Sequence, residues 1–166
     1  MIIIGLGANL DSQFGTPVQT LSAVKDALRH KSIEIIDQSR IWKTEPYPKG
    51  SDQPWYHNAV LNIKTILSPE ALLDELFTIE NHFGRVRTTP NAPRIIDLDL
   101  IAFEGQVIHE DNIKVPHPRM HERLFVLNPL SDIDENWVHP LLQKNASDLI
   151  ADLDNDFETE ALDIPW

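Results

Sequence analysis

The stretch RVRTTPNAPRIIDLDL, Arg85 to Leu100, decides how this chain is read. Three arginines (Arg85, Arg87, Arg94) stand just upstream of two aspartates, Asp97 and Asp99, spaced i, i+2. Ile95, Ile96, Leu98, Leu100 and Ile101 surround the aspartates and predict a buried strand over Ile95–Phe103. Residues two apart on a strand point to the same side, so the two carboxylates are expected to lie together. Two unpaired like charges side by side are costly. A bound divalent cation resolves that conflict, and nearby arginines suit the phosphates such a cation accompanies. The stretch therefore predicts a magnesium–polyphosphate site, although an Asp-x-Asp taken alone also occurs incidentally. Oxygen ligands in a chain without cysteine favour Mg²⁺ over zinc.

Working outward, the strand is the last of a regular series. Ile2–Leu6 is a β-branched run ending in Gly5-Leu6-Gly7 and reads as a buried strand. Those glycines serve either a tight strand-to-loop turn or ligand contact. A helix is expected from Thr16 to His30, with Val18, Leu21, Val24, Ala27 and Leu28 as its apolar stripe. Ile33–Trp42 reads as a second strand, Thr44–Pro54 as a proline-bearing loop, and Trp55–Ile66 as a third strand. Ser68-Pro69-Glu70 supplies an N-cap, a proline at N1 and an acidic first turn for a helix running to about Phe83, which Gly84 closes. Arg85–Pro93 is then a loop, and Glu104-Gly105 a hairpin turn into Gln106–Ile108. The order β-α-β-β-α-β predicts an α+β fold, a ferredoxin-like sandwich with an extra hairpin and a C-terminal extension.

The 166 residues suit one domain spanning 1–166, with 42% apolar and 24% charged residues as in ordinary globular proteins. No cysteine is present, which excludes disulfides, thiolate metal sites and cysteine nucleophiles. MIIIGLGANL has no positive n-region and is too short for a signal peptide or a membrane span, so a cytoplasmic protein is expected. The net charge of -12 is uneven: residues 131–166 hold ten acidic residues and one lysine, whereas five of seven arginines lie between Arg85 and Arg123. Such an acidic chain is a poor general nucleic-acid binder. Its local arginine cluster fits either a small, multiply charged anion or a set of surface salt bridges. There is no P-loop sequence, and Gly5-x-Gly7 lacks the third glycine of a dinucleotide fingerprint.

Two further elements bear on chemistry. His117-Pro118-Arg119-Met120-His121-Glu122-Arg123 places two arginines four apart, so a helical turn would set them on one face. His117 either hydrogen-bonds a phosphate or caps the loop. In the third element Tyr56 and Asn58 share a strand face, with Trp42 and Tyr47 nearby. An aromatic beside an amide can sandwich and hydrogen-bond a flat heterocycle, but Tyr56 can equally be core and Asn58 a turn-satisfying group. Asn81 and His82 read as surface.

Taken together these motifs resemble the 6-hydroxymethyl-7,8-dihydropterin pyrophosphokinase family over roughly Ile3–Leu130. The likeness rests on Gly7-Ala8-Asn9-Leu10, on Asp52-Gln53-Pro54-Trp55-Tyr56-His57-Asn58-Ala59-Val60, and on Gly84-Arg85-Val86-Arg87. It rests most specifically on Pro93-Arg94-Ile95-Ile96-Asp97-Leu98-Asp99-Leu100 and Val115-Pro116-His117-Pro118-Arg119-Met120-His121-Glu122-Arg123. The resemblance implies transfer of the β,γ-pyrophosphoryl group of ATP to a pterin hydroxymethyl oxygen in folate biosynthesis, with AMP leaving. It implies two Mg²⁺ ions held by Asp97 and Asp99, phosphates gripped by Arg85 and Arg94, and further ATP contacts from Glu80, Arg87, His117 and Arg123. It implies a pterin site of Thr44, Tyr47, Tyr56, Asn58 and Phe125, with Tyr56 and Phe125 stacking on the two ring faces.

Asn91-Ala92-Pro93-Arg94 stands where many members carry Trp-Gly-Pro-Arg, and Glu45 where a proline is frequent. Alternatives to the pyrophosphokinase are a catalytically impaired nucleotide- or pterin-binding module and another Mg²⁺-dependent nucleotide-using transferase on the same scaffold. The expected partners are small molecules, with no nucleic acid and no membrane, and a monomer is the default. Residues 131–166 are expected to form an acidic extension outside the resemblance.

Overall fold

The computed structural model describes residues 1–31, 33–85, 92–154 and 157–166. Chain order is β1 (Ile2–Ala8), α1 (Pro17–His30), β2 (Glu34–Gln38), β3 (Ile41–Thr44), β4 (Tyr56–Lys64), α2 (Pro69–His82) and β5 (Asp97–Phe103). There follow β6 (Ile108–His109), β7 (Lys114–Val115), a 3-10 turn at Met120–Glu122, α3 (Leu124–Asp134), α4 (Ala146–Ala151) and β8 (Thr159–Leu162).

Both early helices start where their capping chemistry directs. Thr16 accepts from the Gln19 backbone N–H while the Gln19 side chain accepts from the Thr16 N–H, a reciprocal capping box with Pro17 at N1. Ser68 caps α2 by accepting from Ala71, again with proline in the first turn. Six of the described strands form an antiparallel sheet ordered β5-β1-β4-β3-β8, with β2 also beside β4, and β6 and β7 pair separately. Mixed α and β elements around an antiparallel sheet agree with the expected class.

Strand alternation divides the sheet into two faces with different work. On one, Ile2, Ile4, Leu6, Leu61, Ile63, Leu98 and Leu100 pack against Leu21, Val24 and Leu28 of α1 and Leu72, Leu76 and Ile79 of α2. On the other, Ile3, Val60, Ile101 and Ala102 pack against Val126, Leu127 and Leu130 of α3 and Leu149 of α4. Each fully buried aliphatic side chain contributes about 1.5–3 kcal/mol, so these two layers carry most of the stability. A bulge in β5 opposite Ile3 and Ile4 leaves Ile101 without a cross-strand partner, and its carbonyl accepts the His117 N–H at 2.8 Å.

Several expectations are corrected. Gly5-Leu6-Gly7 is no turn, since β1 continues through Gly7, paired with Asn58 and Asp97, to Ala8. The strand expected over Ile33–Trp42 is two strands, broken where the buried Ser39 hydroxyl accepts from Val60 N–H and donates to the Arg40 carbonyl. The sheet strand that begins at Ile95 in the sequence reading begins at Asp97, opposite Gly7 near the end of β1, and the Glu80 carboxylate accepts the Leu98 N–H at 2.7 Å just inside that start. The turn at Glu104-Gly105 forms, both residues having positive φ, but leads into β6, which pairs with β7 rather than folding back on β5. The acidic segment is also no mere appendage, for β8 pairs along β3 as an additional edge strand. No described helix is long and apolar enough to cross a membrane.

Candidate active site

The second face of the sheet is covered by α3 and α4 along only part of its length. Beyond that cover, the side chains that alternation sends to this face open into a cavity of about 620 Å³. Gly7 of β1, Tyr56 and Asn58 of β4, Thr44 of β3 and Asp97 and Asp99 of β5 line it. Arg85, Arg94, His117, Arg123, Phe125 and Tyr47 complete the gathering of residues singled out in the sequence. Two of the expected site residues stand apart. Glu80 is buried behind Arg85 and does not line the cavity, and Arg87, with Asn91, lies outside the described residues.

At one end the chemistry is ionic. Arg85 donates to Oδ1 of Asp97 and to Oε1 of Glu80, and Arg94 donates to Oδ2 of Asp97. The Arg94 backbone is fixed as well: its N–H donates to Asn9 Oδ1 at 2.8 Å and its carbonyl accepts the Asn9 N–H at 3.0 Å. Among the described residues Asp99 makes no ion pair. Burial, and then the neighbouring Asp97 charge, push its carboxyl up to about 6, against a smaller opposing pull from Arg123. Burial and then the Arg123 charge hold the His117 imidazole down at about 4. Its Nδ1 accepts the Arg119 N–H at 3.2 Å, which assigns the proton of the neutral ring to Nε2. Arg119 and Arg123 flank the 3-10 turn Met120–Glu122, in place of the expected helical turn, and both line the cavity.

At the other end, aromatic and amide side chains suit a flat, polar-edged ligand. Asn58 is buried, and its Nδ2 donates to Thr44 Oγ1 at 2.7 Å, which leaves its carbonyl oxygen directed towards Gly7. The Tyr56 hydroxyl donates to the Ala92 carbonyl at 3.2 Å, and the Arg94 guanidinium lies 5.8 Å from the Tyr56 ring. Phe125 is part-exposed at the start of α3, with the Arg123 guanidinium 5.4 Å from its ring. Asn81 and His82 are exposed, as expected.

The sequence reading passed over Phe157 and Thr159, which also line the cavity. Nothing local marks them, since they enter the site only through the pairing of β8 with β3. Among the described residues no group of three or more His, Asp or Glu side chains could hold a metal by itself. The donors present nevertheless fit Mg²⁺, which binds through one or two carboxylates and completes its shell with substrate phosphate oxygens and water. Asp99, charged only against the cost of burial beside Asp97, is the kind of ligand a cation relieves.

The cavity joins paired carboxylates and arginines at one end to aromatic and amide side chains at the other, an arrangement suited to phosphoryl transfer onto a heterocycle. The chain belongs to the 7,8-dihydro-6-hydroxymethylpterin-pyrophosphokinase (HPPK) family, whose model matches residues 3–135. It is 41% identical over 138 residues to a Haemophilus influenzae 2-amino-4-hydroxy-6-hydroxymethyldihydropteridine pyrophosphokinase, covering 82% of this chain and 83% of that one. It is 38% identical over 141 residues to a folic acid synthesis protein of Pneumocystis carinii, covering 84% of this chain. Similarity to a folic acid synthesis protein of Dictyostelium discoideum is 34% over 156 residues, covering 93% of this chain. The chain spans only 18% and 23% of the lengths of those last two relatives. A solved structure of Plasmodium falciparum HPPK-DHPS shares the fold with a TM-score of 0.72 at 14% identity, over 90% of this chain and 44% of that one.

Proposed function

We propose that this protein transfers pyrophosphate from ATP to the hydroxymethyl group of 6-hydroxymethyl-7,8-dihydropterin, releasing AMP, as a step of folate biosynthesis. The observation that carries the reading is the meeting, in one cavity, of the Asp97–Asp99 pair and its arginines with Tyr56, Asn58 and Phe125. The pterin hydroxyl oxygen bonds to the β-phosphorus, the bond to the α,β-bridging oxygen breaks, and AMP departs with that oxygen. The hydroxyl proton leaves to solvent, since among the described residues no side chain in the cavity is a dedicated base.

Asp97 and Asp99 would hold the Mg²⁺, two ions in this reading. When bound, the metal neutralises phosphate charge and lowers the pKa of the attacking hydroxyl. Arg85 and Arg94, each of which donates to one Asp97 oxygen, would exchange those acceptors for phosphate oxygens. His117, neutral and protonated on Nε2, donates to the nucleotide, and Arg123 supplies a fixed positive charge. Glu80 acts through Arg85, fixing its guanidinium from below. Arg87 keeps the ATP contact that the family likeness implies. Asn58 and the Thr44 backbone read the polar edge of the pterin while Tyr56 and Phe125 stack on its faces. Positioning and electrostatics then supply most of the acceleration.

The strand order β5-β1-β4-β3, with α1 and α2 on one face, supports the ferredoxin-like reading of the core. The β3–β8 pairing supports treating the whole chain as one domain. Dependence on ATP suits the cytoplasm, and a monomer is the default within this reading.

The test is AMP release from Mg²⁺-ATP with and without the pterin. AMP that forms only with pterin is expected. AMP formed without it would point instead to another nucleotide-using transferase, and tight binding of both ligands with no AMP to an impaired binding module.

A further inference from the structure

We propose that Phe157 binds the pterin ring, forming with Tyr47 an aromatic wall that a segment outside the family match brings to the heterocycle end of the cavity. The inference rests on the pyrophosphokinase reading and adds to it a residue from beyond 135, where the match ends. Phe157 and Thr159 line the same cavity as Tyr56, Asn58 and Phe125. The Phe157 and Tyr47 rings lie 6.2 Å apart between centroids, tilted by 34°, within the range of a favourable aromatic pair.

Backbone and anchor contacts fix the place of Phe157. Thr159 pairs with Thr44 at the head of β8, and the Glu45 N–H donates to the Glu158 carbonyl at 3.1 Å. Asn128 of α3 donates to the Thr159 hydroxyl at 3.3 Å. The far end of the segment is held separately. Leu162 and Trp166 pack against the main core, and the Trp166 indole N–H donates to the Ser39 carbonyl at 2.9 Å. Leu162 and Trp166 thus anchor the segment, and the half-buried Phe157 ring lies beside Tyr47, which is 63% exposed. An aromatic held at a cavity wall by strand pairing, beside a second exposed aromatic, is placed to cover a flat ligand.

The experiment uses the full chain and compares Phe157→Ala, Phe157→Leu and Phe157→Tyr by steady-state kinetics, direct pterin titration and thermal melting. Phe157→Ala is expected to raise KM and Kd for 6-hydroxymethyl-7,8-dihydropterin about tenfold, leaving KM for ATP within about twofold. Phe157→Leu, which keeps apolar bulk and so the fold, should show about a threefold rise, and Phe157→Tyr should restore wild-type values. Trp166→Ala serves as the structural control, expected to lower Tm with pterin KM unchanged. An unchanged pterin KM and Kd in the Ala and Leu variants of an active protein would overturn this inference alone. So would a rise that merely tracks Tm across the Phe157 and Trp166 variants. A wild-type chain that neither binds nor pyrophosphorylates the pterin would overturn the functional reading and this inference together.

Discussion

Gly7 of β1 faces Asn58 of β4 across the ladder, and a Cβ on Gly7 would stand 2.8 Å from the Asn58 carboxamide oxygen. The glycine is required for this close approach, since Asn58 is held on its other side by Thr44 at 2.7 Å. Gly7→Ala is therefore expected to push the amide off its present position. Steady-state kinetics should show pterin KM raised about tenfold, equivalent to about 1.4 kcal/mol, with ATP KM nearly unchanged. Equal effects on both substrates would refute this division of the cavity.

Asp99→Asn should separate activity from stability. In the folded protein the Asp99 carboxyl titrates at about 6, above its ordinary 3.8, so the folded state holds a proton that the unfolded chain gives up. The associated stability is complete below about 4 and is lost as pH rises through about 6. Without metal, Asn is expected to stabilise the fold at pH 8 by about 2 kcal/mol and to gain little at pH 4. Mg²⁺-dependent AMP release should fall at least about a thousandfold. Urea unfolding in a chelating buffer checks the first part, and a coupled AMP assay the second.

His117 has the opposite sign. Its folded-state pKa of about 4 lies below the ordinary 6.5, so it contributes stability above about 6.5 that is lost as pH falls towards 4. Its proton NMR titration should show no midpoint above about pH 5. Between pH 6 and 4 its contribution and that of Asp99 oppose one another, so the stability of metal-free Asp99→Asn should fall more steeply with pH than that of wild type, the two converging near pH 4. His117→Ala is expected to raise ATP KM several-fold, since it deletes a hydrogen bond of about 1 kcal/mol.

Glu80 is buried, accepting from both Arg85 and the Leu98 backbone N–H. Glu80→Ala removes one of the two carboxylates that hold the Arg85 guanidinium and leaves the Leu98 N–H without its acceptor, and should cost about 3 kcal/mol in urea unfolding. Glu80→Gln retains an acceptor for Leu98 and should cost less. A loss of stability below about 1 kcal/mol in the Ala variant would contradict the supporting role given to this carboxylate.

The legible parts of this molecule are those whose physics is local. Thr16 with Gln19 and Ser68 with Pro69 announce their helices within a few residues, and β alternation alone places Asp97 with Asp99 and Tyr56 with Asn58. The break at Ser39 was hidden because its cause is a side-chain bond to Val60, 21 positions away. The docking of the acidic extension through β8 is not legible because its ten acidic residues carry no local signal of a strand partner. An edge strand, however, tolerates charge on its open side, and β8 bears Glu160 there as exposed surface. Phe157 shares that concealment, its meaning residing in the partner of β8.

The bulge at Ile101 has a consequence for how the site can vary. By leaving the ladder, one carbonyl of β5 becomes a port to which the His117 backbone docks. That bond does not depend on the side chain at 117, whereas Val115 and Pro116 beside it are buried and help hold the segment. Replacement of His117 can therefore retune what the segment offers a nucleotide while its backbone stays moored two residues from Asp99. The irregularity thus gives the strand a fixed berth for interchangeable chemistry.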